Sequence, residues 1–257
     1  MAEYSNEEFN LQYMKLYSSI IKDGVPKKNH AVIFLGSQPG AGKSNFYTQD
    51  NNLNGYIVID GDKYRQFHPR YNEIISYDMD NYVERTQGFV NQCIEQLIDD
   101  LSDHGYNLII EGTLRDPDIP INTSRKLNSK GYTSDMYVIG ASAIDSWKST
   151  INRAHIMESL GETPRLVPID KYNYIVNHLP ENLEKIKESG CFRSIQIIDR
   201  NNSVLYSNSM SVSIRHFMDD ILDLSEWNKQ FNDLATDFMQ EKIDVIEGQI
   251  ARNRHAR

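Results

Sequence analysis

Residues 31–44 constrain the fold of this chain more than any other part of its sequence. Five apolar residues, 31–35, lead into a glycine-rich turn that ends in Gly42-Lys43-Ser44. A strand, a turn and a helix start in this order are typical of a phosphate-binding loop in a P-loop nucleotide site. The usual pattern, G-x-x-x-x-G-K-[ST], places Ser37 where its first glycine is expected, and Gly36 stands one residue early. Because serine is small, we expect the loop to tolerate it.

Each part of this loop suits the binding of a triphosphate. Gly40 and Gly42 permit a tight backbone curl that points N–H groups inward. Lys43 brings a positive charge to the terminal phosphates, and Ser44 brings a hydroxyl that suits Mg2+. The helix that follows would direct the positive end of its dipole at the same phosphates. The predicted nucleotide-binding residues are Ser37, Gln38, Pro39, Gly40, Ala41, Gly42, Lys43 and Ser44.

Composition limits the class of protein. The 257 residues suffice for one large domain or two small ones with a sizeable core. The net charge of −9 argues against general nucleic-acid binding, which needs a basic surface. The two cysteines and seven histidines form no disulfide framework and no zinc-ligand spacing. No apolar run is long enough to span a bilayer, and the acidic N-terminus does not resemble a signal peptide, so we expect a cytoplasmic protein that contacts no membrane.

Apolar runs alternate with helical patterns through most of the chain. Strands are predicted at 31–35, 56–59, 108–110, 136–139, 195–198 and 204–206. Helices are predicted at 5–22, 78–104, 120–130, 143–160 and 169–189, the last with an interruption at Pro180. This alternation predicts an α/β fold, a three-layer P-loop NTPase fold with a mostly parallel sheet. We expect residues 1–210, including an N-terminal helix, to form one domain and residues 211–257 to form a C-terminal helical extension.

Two further clusters follow predicted strands. Asp60 and Asp62 are two residues apart, so they would face the same side if their strand continued. A carboxylate near a γ-phosphate can hold Mg2+ or accept a proton from an attacking hydroxyl, although Asp-Gly-Asp is also ordinary turn chemistry. Glu111 suits a substrate hydroxyl or a metal-bound water, and Arg115 suits either an anionic substrate or a surface salt bridge. Ligands of such folds lie at the carboxyl ends of the strands, so we expect these clusters and the phosphate loop to converge on one cleft.

Arg153 and Arg165 flank a predicted passage from helix to loop. An arginine supplied by the same chain can stabilise the charge of a transferring phosphoryl group. Spacing alone does not favour these two over four other basic residues. Those are Lys63, Arg65, Arg70 and Arg125.

Together these clusters resemble the zeta toxin family, the toxin half of the epsilon/zeta and PezA/PezT toxin–antitoxin systems. The matching segments are GSQPGAGKS at 36–44, VIDGDKYRQFHP at 58–69, GYNLIIEGTLRDPDIP at 105–120, KGYTSDMYVI at 130–139 and IVNHLPENLEKI at 175–186. The resemblance covers roughly residues 30–210. The second and third of these segments are much more specific than a phosphate loop alone, and the terminal helices look like those of the longer, PezT-type members.

The resemblance implies a kinase that uses ATP and Mg2+ to phosphorylate the 3′-hydroxyl of the sugar in UDP-N-acetylglucosamine, which blocks peptidoglycan precursor synthesis. It implies that Asp62 is the general base, and that Lys43 and Ser44 handle the phosphates and Mg2+. Arg153 and Arg165 fall where the family has arginines facing the transferred phosphate. The implied UDP-sugar ligands are Glu95, Glu111, Thr113 and Arg115. An epsilon- or PezA-like antitoxin is the implied partner.

Two other functions remain open at this point. The loop around Arg165 reads GETPRLVPID, where family members commonly have an A-R-A-T-P stretch. The acceptor is therefore less closely specified than the reaction, and a P-loop kinase of another UDP-sugar or of NAD is one alternative. A nucleotide-dependent binding or switch protein with little catalysis is the other.

Overall fold

The computed structural model describes residues 3–49 and 53–255. Its strands are β1 (Ala31–Gly36), β2 (Tyr56–Ile59), β3 (Asn107–Gly112), β4 (Thr133–Ile139), β5 (Ser194–Ile198) and β6 (Val204–Ser207). Its helices are α1 (Asn6–Ile20), α2 (Ser44–Gln49), α3 (Gly61–Tyr64), α4 (Tyr71–Asp78), α5 (Tyr82–Asp103), α6 (Asp118–Ser129), α7 (Ala143–Ser159), α8 (Ile169–Glu188), α9 (Ile214–Leu222) and α10 (Leu224–His255). Across this part of the chain, no helix combines the length and the apolar character needed to cross a membrane.

The sheet confirms the predicted α/β fold. Its strand order is β2-β3-β1-β4-β5-β6, and most of its strands are parallel. β2 pairs with β3 in parallel, with Tyr56 opposite Asn107 and Ile59 opposite Ile110. β6 instead runs antiparallel to β5. Helices cover both faces of the sheet, as parallel strands require, because each parallel connection must cross over the sheet.

The segment between β2 and β3 differs from the prediction. α5 confirms the helix predicted over 78–104, with a start at Tyr82, but the helices α3 and α4 before it were not predicted. α4 is only eight residues long, which is too short a window to establish a helical period in the sequence. Gly105 follows α5 with φ +74°, the left-handed conformation in which a glycine commonly ends a helix.

Pro180 does not interrupt α8. The helix continues from Ile169 to Glu188 with Pro180 buried inside it. A proline removes one backbone hydrogen bond, but the buried side chains of Tyr172, Leu179 and Leu183 hold the helix on both sides of it.

Contacts between residues divide the chain into two units. The first contains the described residues of Met1–Leu35, Asn51–Gly112 and Thr123–Asp135, and the second those of Gly36–Asp50, Thr113–Asn122 and Met136–Arg257. The expected division at residue 210 stays a prediction.

The core of the first unit joins α1 to α5. The Ser5 side chain accepts a hydrogen bond from the Glu8 N–H, and the Glu8 side chain accepts one from the Ser5 N–H, which forms a capping box at the start of α1. α1 buries Phe9 together with Tyr13 and Leu16, and the Phe9 ring lies 5.6 Å from that of Phe89 on α5. The apolar face of α1 thus packs within its own chain.

The core of the second unit joins α7, α8 and α10. Trp227 of α10 is fully buried, and its ring lies 6.3 Å from that of Trp147 on α7 and 5.1 Å from that of Tyr172 on α8. The Trp227 indole N–H donates to the Asn173 amide oxygen at 2.8 Å, so its one polar atom is satisfied inside this core. The beginning of α10 is therefore an integral part of this unit.

Candidate active site

The phosphate loop lies in the second unit. Gly40 and Gly42 have φ of +77° and +101°, in the left-handed region that favours glycine. A Cβ on Gly40 would lie 2.0 Å from the backbone oxygen of Ser146 on α7, so the loop rests directly on that helix. The Lys43 ammonium donates to the Ser37 carbonyl at 3.3 Å and so closes the loop. Ser44 is exposed as the first residue of α2.

Ser37 and Gln38 anchor this loop from beneath. The buried Ser37 hydroxyl lies 2.7 Å from the Ile139 carbonyl and 2.6 Å from the Gln38 amide oxygen. The Gln38 amide nitrogen donates to the Ala141 carbonyl and to the Ser146 hydroxyl, both at 2.8 Å. The Ser37 side chain therefore points into the protein, which explains how serine replaces the usual glycine.

Gly36 is required for a different reason. A Cβ on Gly36 would lie 2.3 Å from the Leu114 side chain, which occupies the space beside the end of β1. Leu114 itself has a φ of +54°, a conformation that non-glycine residues rarely adopt. The early glycine of the motif thus makes room for the neighbouring 113–115 loop.

The side chain of Asn182 holds that loop. Asn182 is buried on α8, and its amide nitrogen donates to the carbonyls of both Leu114 and Arg115 at 3.0 Å. These bonds fix the unusual backbone between Thr113, which is half-buried, and Arg115, which is exposed. Nothing local in the sequence identifies Asn182, because its partners lie almost seventy residues earlier in the chain.

The two predicted phosphate-facing arginines also lie in the second unit. Ser146 and Thr150 are the α7 residues nearest to the Gly40 position. Arg153 lies three residues beyond Thr150 and seven beyond Ser146, so it shares their helix face. Arg165 lies in the segment between α7 and α8, and both arginines are half-buried.

The expected aspartate pair of the first unit is arranged differently from the prediction. β2 ends at Ile59, so Asp60 and Asp62 do not lie on a continued strand. Asp60 instead caps α3, and its carboxylate accepts the backbone N–H of Asp62 at 3.1 Å. The helix starts here because an aspartate at this position satisfies an N–H that the first turn leaves unpaired. Asp62 is left as the exposed carboxylate, at the carboxyl end of β2.

Arg65 orients the Asp62 carboxylate. The Arg65 guanidinium is almost fully buried and donates to one Asp62 oxygen at 3.2 and 3.3 Å. Its remaining bonds go to the Val83 carbonyl, the Thr86 hydroxyl and the Gln87 amide oxygen, at 2.9–3.0 Å. A planar donor tied at five points has little freedom, so it fixes Asp62. Arg65 follows Asp62 by three residues, and this helical spacing is the feature of the sequence that could have identified Arg65 as its partner.

Tyr64 braces the same short helix. Burial raises the pKa of Tyr64 well above its usual range, so the phenol keeps its proton at any physiological pH. Its hydroxyl donates to the Val58 carbonyl of β2 at 3.3 Å. The short helix that carries Asp62 is therefore joined by this bond to the strand that precedes it.

The predicted substrate glutamates also belong to the first unit. Glu95 is exposed on α5, and Glu111 is half-buried near the end of β3. A Cβ on Gly61 would lie 2.7 Å from Ile94 on α5, so α3 packs closely against that helix. Asp62 directly follows Gly61 in the chain, and Glu95 directly follows Ile94, so both residues are next to this contact in sequence.

The predicted Mg2+ site suits the chemistry of this loop. Magnesium ions in such sites take one or two protein oxygens and complete their shell with phosphates and water. Ser44, which follows Lys43 in the chain, carries such a hard oxygen. Within residues 3–49 and 53–255, no cluster of three or more acidic, histidine or cysteine side chains forms a separate metal site.

Comparison with known proteins settles the family. The model of the zeta toxin family matches residues 17–211, about three quarters of the chain. The chain belongs to the zeta toxin family. It is therefore a kinase-like toxin, and the sequence resemblance is confirmed.

Individual relatives agree with this assignment. This zeta toxin family member is 32% identical to toxin PezT of Streptococcus pneumoniae serotype 4 over 231 residues, which cover 88% of this chain and 91% of the relative. It is 29% identical to toxin zeta of Streptococcus pyogenes over 260 residues, covering 99% and 88%. It is 33% identical to toxin zeta of Enterococcus hirae over 226 residues, covering 86% and 76%.

Solved structures place the fold in the same group. A structure from the PezAT chromosomal toxin–antitoxin system of Streptococcus pneumoniae matches with a TM-score of 0.77 and 29% identity, over 95% of this chain and 98% of the other. The AvrRxo1-ORF1:-ORF2 complex with ATP matches with a TM-score of 0.55 and 10% identity, over 84% and 69%. At that identity the second match concerns the fold alone.

Proposed function

We propose that this protein transfers the γ-phosphate of ATP to the 3′-hydroxyl of the sugar of UDP-N-acetylglucosamine, and so blocks peptidoglycan precursor synthesis. The observation that carries the proposal is the exposed Asp62 carboxylate, held by a buried Arg65 at the end of β2. A fixed and accessible carboxylate suits the removal of a proton from a sugar hydroxyl. Membership of a kinase-like family supports the same reaction class.

The nucleotide is held by residues 37–44. The backbone around Gly40 and Gly42 cradles the phosphates, and Lys43 leaves its contact with the Ser37 carbonyl to meet the terminal phosphates. Mg2+, with Ser44 as its protein ligand, would neutralise part of the phosphate charge. The ATP in a solved structure of the same fold supports this use of the site.

Transfer then needs a base and positive charge. Asp62 accepts the hydroxyl proton as the sugar oxygen bonds to the γ-phosphorus, and the bond from that phosphorus to the bridging oxygen breaks to leave ADP. Arg153 and Arg165 stabilise the charge on the transferring group. The helix face that Arg153 shares with Ser146 supports its role, because Gly40 rests on that face.

Four residues are proposed to bind the acceptor. Arg115 suits the diphosphate, since its guanidinium matches phosphate geometry. Thr113, Glu111 and Glu95 suit hydroxyl and amide groups of the sugar and uridine. The bonds of Asn182 to the 113–115 loop support this role for Thr113 and Arg115, which lie in that loop.

We also propose an epsilon- or PezA-like antitoxin as the partner, a cytoplasmic location, and a kinase domain over residues 1–210 with an extension over 211–257. The similarity to a protein from the PezAT toxin–antitoxin system supports the partner. Co-expression with such an antitoxin should restore the growth of cells that produce this toxin.

A pair of aspartate variants tests the mechanism. Asp62→Asn should bind ATP with unchanged affinity but lose transfer to UDP-N-acetylglucosamine by about a thousandfold, since general base catalysis contributes on that scale. Asp78→Asn is the matched control, because Asp78 also pairs with an arginine, Arg85, in the same unit. It should keep the wild-type rate. Undiminished transfer by Asp62→Asn would refute the assignment of the base.

A further inference from the structure

The turn between β5 and β6 is tightly built. The Asp199 carboxylate accepts the backbone N–H groups of Asn201 and Ser203, each at 2.8 Å. The Asp199 N–H donates to the Ser203 carbonyl at 2.9 Å. Such a carboxylate-closed turn fixes the direction in which Arg200 leaves the backbone.

Arg200 contacts the phosphate loop from this turn. Its Nε donates to the Ala41 carbonyl at 3.1 Å, and its Nη2 donates to the Gly40 carbonyl at 3.3 Å. The same Nη2 lies 3.5 Å from the Ser149 hydroxyl of α7. One planar side chain thus binds two consecutive carbonyls of the loop and joins them to the helix beneath.

These contacts set the direction of the loop's donors. In a trans peptide the C=O and the following N–H point in opposite directions. Arg200 holds the carbonyls of Gly40 and Ala41 on one side, so the N–H groups of Ala41 and Gly42 point to the other. The Ala41 N–H makes only a long bond, to the Gln38 carbonyl at 3.3 Å.

We propose that Arg200 is a positioning residue for the phosphate loop, which pre-orients its N–H groups for the phosphates of a nucleoside di- or triphosphate. The proposal rests on the proposed use of this loop for ATP. The neighbouring Asn202 adds to it, because its amide donates to the Phe46 carbonyl on α2 at 3.2 Å. The β5–β6 turn therefore holds both the loop and the helix that follows it.

The chemistry of arginine is specific in this role. Two adjacent carbonyls are matched by the Nε and Nη2 donors of one guanidinium, whereas an ammonium is a single point charge on a flexible stem. A lysine at this position would keep the charge but bind one carbonyl at a time. The geometry rather than the charge should therefore decide the affinity.

Calorimetric titration of the full chain with ATP, ADP and AMP tests the proposal. Arg200→Ala should weaken ATP and ADP binding alike, by about tenfold to a hundredfold, because hydrogen bonds from a charged donor are lost. Arg200→Lys should recover only a small part of that loss. Low millimolar guanidinium should partly restore binding to Arg200→Ala and leave the wild type unchanged. Arg215→Ala, an exposed arginine on α9, is the control and should bind as the wild type does.

The outcomes separate this proposal from the proposed function. ATP binding by Arg200→Ala within twofold of the wild type would overturn the positioning role and leave the kinase proposal standing. Equal affinities of Arg200→Lys and the wild type would also overturn it, and this variant serves if Arg200→Ala fails to fold. A wild-type chain that binds no ATP would overturn both proposals.

Discussion

The substitution Gly40→Ala tests the account of the phosphate loop most sharply. Gly131→Ala is the matched control, because Gly131 has a similar φ of +86° but no atom lies within 4 Å of the position of its Cβ. Both substitutions force an alanine into the left-handed region, at a cost of about 1–2 kcal/mol in the free energy of unfolding. Only Gly40→Ala also adds a collision.

The size of that collision follows from the structure. The new Cβ would lie 2.0 Å from the Ser146 carbonyl oxygen and 2.9 Å from the Thr150 methyl group. Real Cβ atoms almost never approach other atoms closer than 3.0 Å, so the loop or the helix must move by about 1 Å. Ser146 is held within a regular helix, so the loop is the part that moves. Misplacement on this scale costs about a hundredfold in a positioned site.

Calorimetric titration with ATP and thermal unfolding, applied to both variants, measure these effects. We expect Gly131→Ala to bind ATP as the wild type does. Gly40→Ala should bind ATP about a hundredfold more weakly and unfold at a lower temperature than Gly131→Ala. Wild-type affinity in Gly40→Ala would refute the argument that α7 shapes the loop.

Three further predictions concern other contacts. Asn182→Ala should raise the KM for the acceptor about tenfold and lower the free energy of unfolding by about 1–3 kcal/mol, because the Leu114 and Arg115 carbonyls lose their donor. Asn177→Ala is the control, because the Asn177 amide donates to a carbonyl one turn earlier on α8, and it should leave the KM unchanged in the same kinetic assay. Arg65→Lys should slow phosphate transfer about tenfold to a hundredfold and leave the ATP affinity unchanged, because an ammonium cannot bind Asp62 and the other acceptors of Arg65 at the same time. Equal transfer rates of Arg65→Lys and the wild type would contradict this. Burial and, secondarily, the charge of Arg70 lower the pKa of His68, so the unfolded chain takes up a proton below about pH 6.5 that the folded chain resists. Stability should therefore fall as the pH drops from 7.5 to 5, and a chemical denaturation series should show a smaller fall for His68→Phe.

The sequence was sufficient for the sheet and for the phosphate loop. Continuous apolar runs predicted β1 and β2, and β1 is buried on both faces, so it shows no polar alternation. The loop motif was recognisable because its backbone has positive φ values at Gly40 and Gly42, which favour glycine and so leave a pattern in the sequence. The helix α4 was missed, since eight residues are too few to establish a helical period.

The contacts that support the site could not be predicted in the same way. The sequence left open whether the strand continued through Asp60 and Asp62, and it does not, because Asp60 caps α3 directly after β2. Arg200 lies 160 residues from Gly40 in the chain, and no local pattern links them. Such supporting residues depend on tertiary packing, which one sequence does not encode in any short window.

Mass spectrometry of the small-molecule products tests the central claim most directly. The purified chain would be incubated with ATP, Mg2+ and a panel of UDP-sugars plus NAD, beside Asp62→Asn. We expect one added phosphate on UDP-N-acetylglucosamine with the wild type and none with the variant. Phosphate on NAD or on another UDP-sugar alone would contradict the proposed acceptor, and no phosphorylated product from a chain that binds ATP would contradict the kinase itself.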